Sequence, residues 1–354
     1  MGFKIKMVVS LNSMKYKTTI LLMLIAAFSF ACDRIEKLTS GFPTPPPEIA
    51  TPTKQLSTLE LKPDAELQKQ IEGIAAEAKG KVGVMAVLLE TGDAASLNLE
   101  QRFPMQSMYK LPISMAVLHA VDDEKLSLDE MIGVPKEDMA PANMYSPLRD
   151  KYPGGATVTV RELIEYAVSQ SDNTACDVLI RLAGGTDAIQ QYLAAVGMKD
   201  MTVANPEREI QQNWQMQYAN FASPNAAVTL LRNLHEGNGV SSEHRAALLK
   251  FMTDSTTGPK RLKGLLPAGT AVAHKTGTSG TAESSSIKSR SDGTVASLEL
   301  WKITAATNDI GIITLPNGKH IAIAVFVSDS PADEKTREAV IAKIAKAVWD
   351  KWRI

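Results

Sequence analysis

The sequence predicts a mixed α/β fold: an antiparallel sheet flanked by N- and C-terminal helices, with an all-helical lobe inserted between strands from the two ends of the chain. Three observations predict it. Apolar runs of strand length lie at Val82–Glu90 and return after Gly269. The stretch between them carries repeated 3.6-residue periodicity with helix caps. The chain closes on a long amphipathic segment, Ala332–Trp352. Two such lobes leave a cleft, and clefts between lobes are common ligand sites.

The N-terminus stands apart. Before Thr18 the only charges are Lys4, Lys6, Lys15 and Lys17, and Thr18–Cys32 then carries none. Those 15 residues fall short of the ~20 that a membrane-spanning helix needs. A basic region, an apolar stretch and a small-residue end predict an export signal over 1–32, with Met14 a second candidate start. Gly41-Phe42-Pro43-Thr44-Pro45-Pro46-Pro47 and Pro52 predict an extended tether over 33–58. The folded domain is expected over 59–354. Its α/β lobe takes about 59–105 and 255–354, and its helical lobe about 106–254.

Pro63-Asp64 opens a helix with Leu67, Ile71, Ile74 and Ala78 on one face, stopped by Gly80. Thr91-Gly92-Asp93 turns the first strand into a second. Helices are predicted at Ser107–Val121, Val160–Ser169, Asn173–Leu182, Asp187–Val196, Pro224–His235 and Ser242–Met252. Thr159-Val160-Arg161-Glu162 is a capping box, and Ser223-Pro224 pairs an N-cap with proline at the first helical position. Strands are predicted at Thr270–Thr278, Asp309–Leu315 and His320–Val327, the last two joined through Pro316-Asn317-Gly318.

Composition excludes several classes. Of 354 residues, 44% are hydrophobic and 22% charged, ordinary globular usage that rules out a disordered or collagenous chain. Net charge is −1 without a basic block, a poor match to nucleic acid, whose affinity rests on phosphate contacts. Two cysteines, Cys32 and Cys176, are too few for a cysteine-based zinc site. The five histidines show no metal-ligand spacing and there is no Gly-x-Ser-x-Gly elbow. No metal or cofactor is expected.

Chemistry concentrates in three short motifs. In Ser107-Met108-Tyr109-Lys110, residues i and i+3 share a helical face, so the amine can reach the hydroxyl. A serine becomes a nucleophile beside a base, which a desolvated lysine can supply. Such a spacing arises about once by chance in a chain of this length. Ser171-Asp172-Asn173 is rarer, and it also reads as a helix N-cap. Lys275-Thr276-Gly277 sits at the end of a predicted strand.

The three motifs, in this order, resemble those of the serine β-lactamase and penicillin-binding family. The resemblance runs from about Leu59 to the C-terminus. Arg102–Ser107, Thr256–Pro267 and Thr304–Asp309 are most similar to class A β-lactamases of an extended-spectrum branch. It implies hydrolysis of the β-lactam amide of penicillins and cephalosporins through a serine acyl-enzyme. Such enzymes confer antibiotic resistance. The same motifs also serve D,D-carboxypeptidases, transpeptidases and non-hydrolysing β-lactam sensors.

The resemblance also implies roles. Ser107 is the nucleophile, Lys110 or Glu207 its base, and Ser171 the relay to the leaving nitrogen. Backbone N–H groups of Ser107 and Thr278 form the oxyanion hole. Asn173 holds the substrate side-chain amide, and Lys275 supports Ser171. Thr276 and Thr278, with Gly277 between them, face the substrate carboxylate, and Arg261 is the carboxylate-binding arginine. Tyr145 is the aromatic gatekeeper. Glu207-Arg208-Glu209-Ile210-Gln211 resembles the Glu-x-Glu-Leu-Asn pattern whose first glutamate activates the hydrolytic water, with Gln211 in the asparagine's place. Ser29-Phe30-Ala31-Cys32 resembles a lipobox, with Ser29 where an aliphatic residue is usual. It implies lipidation and membrane anchoring at Cys32, the alternative being an ordinary cleaved signal with an incidental cysteine. The exported protein is expected to be periplasmic and monomeric.

Two departures stand out. The family's Arg–Asp clasp around the glutamate loop is replaced by Asn205 and Asn220, which implies a wider pocket and bulky cephalosporins as substrates. Thr281–Ile303 adds 23 serine-rich residues where relatives have a short hairpin loop. It is read as a surface insertion or as a flap over the cleft, with Val295–Trp301 able to extend a strand instead.

Overall fold

In the computed structural model, residues 56–289 and 295–354 are described, the side chains of 283–301 excepted. The expected export signal, Cys32 and nearly all of the tether lie outside the described residues. No helix among the described residues is long and apolar enough to cross a membrane.

The strands are β1 (Lys62–Pro63), β2 (Lys81–Leu88), β3 (Asp93–Leu97), β4 (Phe103–Pro104), β5 (Met131–Pro135), β6 (Gly155–Thr159), β7 (Met201–Thr202), β8 (Phe221–Ala222), β9 (Val272–Thr278), β10 (Thr281–Ser289), β11 (Val295–Thr304), β12 (Thr307–Thr314) and β13 (His320–Ser328). The helices are α1 (Ala65–Ala75), α2 (Lys110–Asp122), α3 (Pro147–Lys151), α4 (Val160–Ser169), α5 (Asn173–Leu182), α6 (Thr186–Ala195), α7 (Glu207–Ile210), α8 (Pro224–Glu236), α9 (Ser242–Thr253) and α10 (Glu334–Trp352).

The main sheet runs β1-β3-β2-β13-β12-β9 and is antiparallel except for the short β1–β3 pairing. Its strands are apolar on both faces, and the two-residue period sorts them. Val82, Val84, Ala86 and Leu88 of β2, with Ile321, Ile323, Val325 and Val327 of β13, join one core with Leu67, Ile71, Ile341, Ile344 and Val348 from the terminal helices α1 and α10. Met85 and Val87, with Ala322, Ala324 and Phe326, face the other way into a core shared with the helices of the middle segment. The mixed α/β architecture expected from strands at both chain ends is the one observed.

The signals at element ends hold. Thr159 and Glu162 complete a reciprocal capping box on α4. Ser223 caps α8, with Pro224 inside its first turn. Gly318 takes φ +80° in the turn between β12 and β13. Two readings change. The helix expected from Ser107 starts as a 3₁₀ turn over Gln106–Tyr109, and α2 begins at Lys110. Gln106 has φ +51°, a conformation no α-helix continues, and Pro112 fits only the first turn of a helix. The 23-residue insertion is not an open loop. Its backbone forms the hairpin β10–β11, in register from Thr281↔Thr304 to Lys288↔Ser297 and shifted at Ser289↔Val295, directly following the β9–β12 pair.

Candidate active site

The site assembles where three pieces of backbone meet. The first is the 3₁₀ turn carrying Ser107. The second is the loop Ser171–Asn173 ahead of α5. The third is the end of edge strand β9. Glycine at 277 permits the closest approach: a Cβ there would stand 2.2 Å from the Met105 carbonyl oxygen. Gly277 therefore lets β9 lie against the Ser107 turn. Asn308 of β12 fastens the same turn, donating to the Pro104 carbonyl at 2.8 Å. Ser171 takes φ +60° and Gln106 φ +51°. Strain of this kind in non-glycine residues collects at functional sites.

Lys110 is the hub. It opens α2, a helix buried nearly all round, and is itself 0% exposed. Its ammonium donates to Ser107 Oγ at 2.7 Å, to the Ser171 carbonyl at 3.1 Å and to Asn173 Oδ1 at 2.5 Å. Glu207 Oε1 lies 2.7 Å away as well. An ammonium has three N–H donors, and the other three contacts use them. Glu207 is thus a fourth acceptor, an ion pair competing for the same three protons, and no other donor reaches Oε1 among the described residues. Burial works against the charge on Lys110, but Glu207 and Asp172 outweigh it and hold the pKa above its usual value.

Lys275 behaves oppositely. Burial, reinforced by the Lys110 charge, pushes its pKa well below the usual lysine range. Its amine donates to Ser171 Oγ at 2.9 Å. The site thus holds one lysine kept charged and one disposed to lose its proton, joined through Ser171.

A cavity of about 320 Å³ opens on these groups, lined among others by Ser107, Tyr145, Ser171, Asn173, Thr276 and Thr278. Gln211 and Arg261 also line it. Tyr145 is 57% exposed at its rim. A neighbouring cavity of about 300 Å³ shares Gln211 and Thr278 and adds Trp214 and Thr281, the first residue of the hairpin. Arg261 is only 3% exposed. Its guanidinium meets Glu338 at 3.2 Å and donates to the carbonyls of Gly277 and Asn308 and to Thr278 Oγ1 at 2.8 Å. It reaches the cleft through the Thr278 hydroxyl. Thr276 Oγ1 lies 2.7 Å from Thr257 Oγ1.

Asp172, between the two chemical residues of its motif, is the N-cap of α5 and also binds Leu148 N–H at 2.6 Å and the Ser146 hydroxyl. The capping and chemical readings of Ser171-Asp172-Asn173 are both true, of different residues. Cys176 is a free buried thiol whose pKa burial raises well above normal, which makes it inert.

The loop carrying Glu207 is held without the ion pair. Asn220, fully buried, accepts from Ala204 N–H at 2.7 Å and Asn205 N–H at 2.9 Å, and returns a bond to the Asn205 carbonyl at 2.8 Å. One side-chain amide and the backbone replace two charges. Asp177 of α5 adds a second anchor, accepting from Glu207 N–H at 2.7 Å and Arg208 N–H at 3.3 Å. Nothing in the sequence alone singled out Asp177. It has no motif, and only the packing of α5 under α7 reveals it.

Burial raises the Asp177 carboxyl from its usual 3.8 to about 6. A raised acid favours the folded state while protonated in it, so its cost grows as pH climbs from about 4 to about 6 and stays full above that. Asp177→Asn escapes the charge. The variant's stability relative to wild type should rise by about 3 kcal/mol between pH 4 and pH 7.5, read from paired denaturant melts. A pH-independent difference would mean the buried charge costs nothing.

A sequence profile of the beta-lactamase enzyme family matches residues 66–352. The chain is 40% identical over 284 residues to the extended-spectrum β-lactamase PER-1 of Pseudomonas aeruginosa, covering 80% of this chain and 86% of that protein. It is 37% identical to the β-lactamase VEB-1 of the same organism, over 80% and 89% of the two chains. The crystal structure of a β-lactamase from Chitinophaga pinensis superposes with a TM-score of 0.73 at 44% identity, covering 81% of this chain and 99% of that one. The extended-spectrum β-lactamase TLA-1 gives 0.73 at 42% identity, over 82% and 99%. Motifs, buried lysine hub and overall likeness agree: the chain belongs to the β-lactamase enzyme family, among its class A members.

Proposed function

We propose that Ser107 carries the acyl group while this β-lactamase hydrolyses the lactam amide of penicillins and cephalosporins. The observation that carries the assignment is the Lys110 ammonium shared between Ser107 Oγ and the Glu207 carboxylate. The lactam carbonyl sits over the Ser107 turn, its oxygen toward the backbone N–H groups of Ser107 and Thr278. As Oγ attacks, its proton passes to Glu207, directly by way of Lys110 or through an intervening water. The C–N bond breaks and the nitrogen takes the Ser171 hydroxyl proton, which Lys110 replaces. Glu207 then returns its proton to Lys110 and is a carboxylate again, while Lys275 holds the Ser171 hydroxyl in place. Water then attacks the ester and yields its proton to Glu207, whose Oε1 is open to a donor. The Ser107 oxygen leaves and recovers a proton from Lys110, which takes back the one that Glu207 received from water.

Thr276 and Thr278 offer hydroxyls to the substrate carboxylate, and the Arg261 guanidinium behind Thr278 supplies the positive charge. Asn173 and Gln211 offer amides to the acylamino side chain, with Tyr145 at the rim. Electrospray mass spectrometry of the enzyme mixed with a slow cephalosporin tests the nucleophile: one adduct on the wild type and none on Ser107→Ala. An adduct on both would dismiss Ser107.

Bulky cephalosporins are our reading of the substrate range, and the hairpin β10–β11 is its handle. Thr281 stands in the wall of the cavity that adjoins the cleft at Gln211 and Thr278. Replacing residues 284–301 by Asn-Gly leaves Glu283↔Lys302 as the last pair and supplies a two-residue turn. The shortened enzyme should keep kcat/KM for a small penicillin within about 3-fold. For a cephalosporin with a large side chain it should change by about 10-fold, roughly 1.4 kcal/mol at the transition state. Equal effects on both substrates would make the hairpin a bystander. From residues 1–58 we further place the working enzyme in the periplasm, as a monomer held to a membrane through lipidated Cys32.

A further inference from the structure

Two histidines and a glutamate that are far apart in sequence meet at the opposite end of the main sheet from Ser107. Glu90 follows β2, His235 is in the last turn of α8, and His320 opens β13. One potential ligand atom from each lies within 4.8 Å of the others. The two imidazole rings are 4.7 Å apart between centroids. The Glu90 carboxylate lies 2.8 Å from His320 Nδ1 and also accepts the His320 backbone N–H at 2.9 Å.

We propose that Glu90, His235 and His320 form a surface site for one divalent transition-metal ion of the zinc class, with its remaining position open to water. Two imidazoles and one carboxylate are a donor set that zinc accepts. Three ligands on one zinc at about 2.1 Å stand about 3.4 Å apart, so side-chain rotations alone close the present spacing. The second layer is already built. The His320 backbone N–H orients the carboxylate, as outer-shell donors do at metal sites. Arg245 donates to the His235 carbonyl at 2.7 Å and is a cation that opposes the ion.

The geometry also says what such an ion does. It ties the end of α8 to β2 and β13, strands on either side of the long middle segment. His320 pairs with Thr314 at one end of β12, while Thr307 at the other end pairs with Thr278. That seven-residue step spans about 23 Å. The ion is therefore a clamp on the fold and takes no part in the serine chemistry.

Titration of the purified chain with ZnCl₂, followed by calorimetry, and with CoCl₂, followed by visible absorption, tests the site. One equivalent should bind, and His235→Ala and Glu90→Gln should each weaken it at least about 10-fold. Zinc at a hundred times the wild-type Kd should raise the wild-type Tm by roughly 5 °C and that of His235→Ala by about half as much or less. Nitrocefin turnover should be the same with and without zinc in all three proteins, which separates this site from the serine mechanism. Failure to bind zinc, or equal affinity in wild type and both variants, would overturn the proposal.

Discussion

Glu207→Ala should trap the enzyme as an acyl-enzyme. Mixed with nitrocefin, the variant should release one equivalent of product in a burst and then stall, with deacylation slowed by about 10²–10⁴-fold, the usual worth of a positioned general base. Acylation should suffer far less. In the wild type, the Glu207 charge offsets burial and keeps Lys110 protonated. Without Glu207 the burial dominates, the lysine becomes more readily neutral, and it can take the Ser107 proton at 2.7 Å by itself. Deacylation has no such substitute, because water must be met by an acceptor, the role we assign to Glu207. Persistent acylation of the wild type would instead describe a sensor or a cell-wall peptidase. Steady turnover by the variant at close to the wild-type rate would remove Glu207 from the mechanism.

Much of this was legible because local chemistry and global fold agree. Helix α4 was bounded by a capping box and α5 by Asp172, signals that act within three residues. The nucleophile spacing Ser107–Lys110 also works locally, across one helical turn. What escaped were contacts that exist only after folding. Asp177 holds the Glu207 backbone across 30 residues of chain, and Gln106 meets Gln217 at 2.7 Å across 111. His274, read as one of five undistinguished histidines, is buried against Asp309 at 2.9 Å beside Lys275. Neither partner carries a motif, and no periodicity distinguishes a buried histidine with a partner from one without. Of the insertion, only Val295–Trp301 read as strand; the serine-rich residues before it argue against one, and cross-strand pairing with residues 295–304 outweighs that preference.

Lys110→Met should be the most damaging single change, and for two separable reasons. The first is catalytic. Ser107 loses the donor that orients Oγ and the group that carries its proton, so labelling by penicillin should slow by about 10²–10⁴-fold. The second is stability. Methionine fills much of the lysine's space but leaves Glu207, nearly buried, as an uncompensated carboxylate, a loss of about 3–5 kcal/mol. The Ser171 carbonyl and Asn173 Oδ1 lose a donor as well. The sign with pH follows. An unpaired buried carboxyl titrates above its unfolded value, so the variant keeps its stability at low pH and loses it as pH rises through the folded pKa. Denaturant melts at pH 5 and pH 8 should therefore show the deficit mainly at pH 8. Adding Glu207→Gln removes the stranded charge and should recover most of the stability and none of the acylation rate. A double variant no more stable than Lys110→Met would show that the two side chains are not energetically coupled, and the buried ion pair would lose its place at the centre of the site.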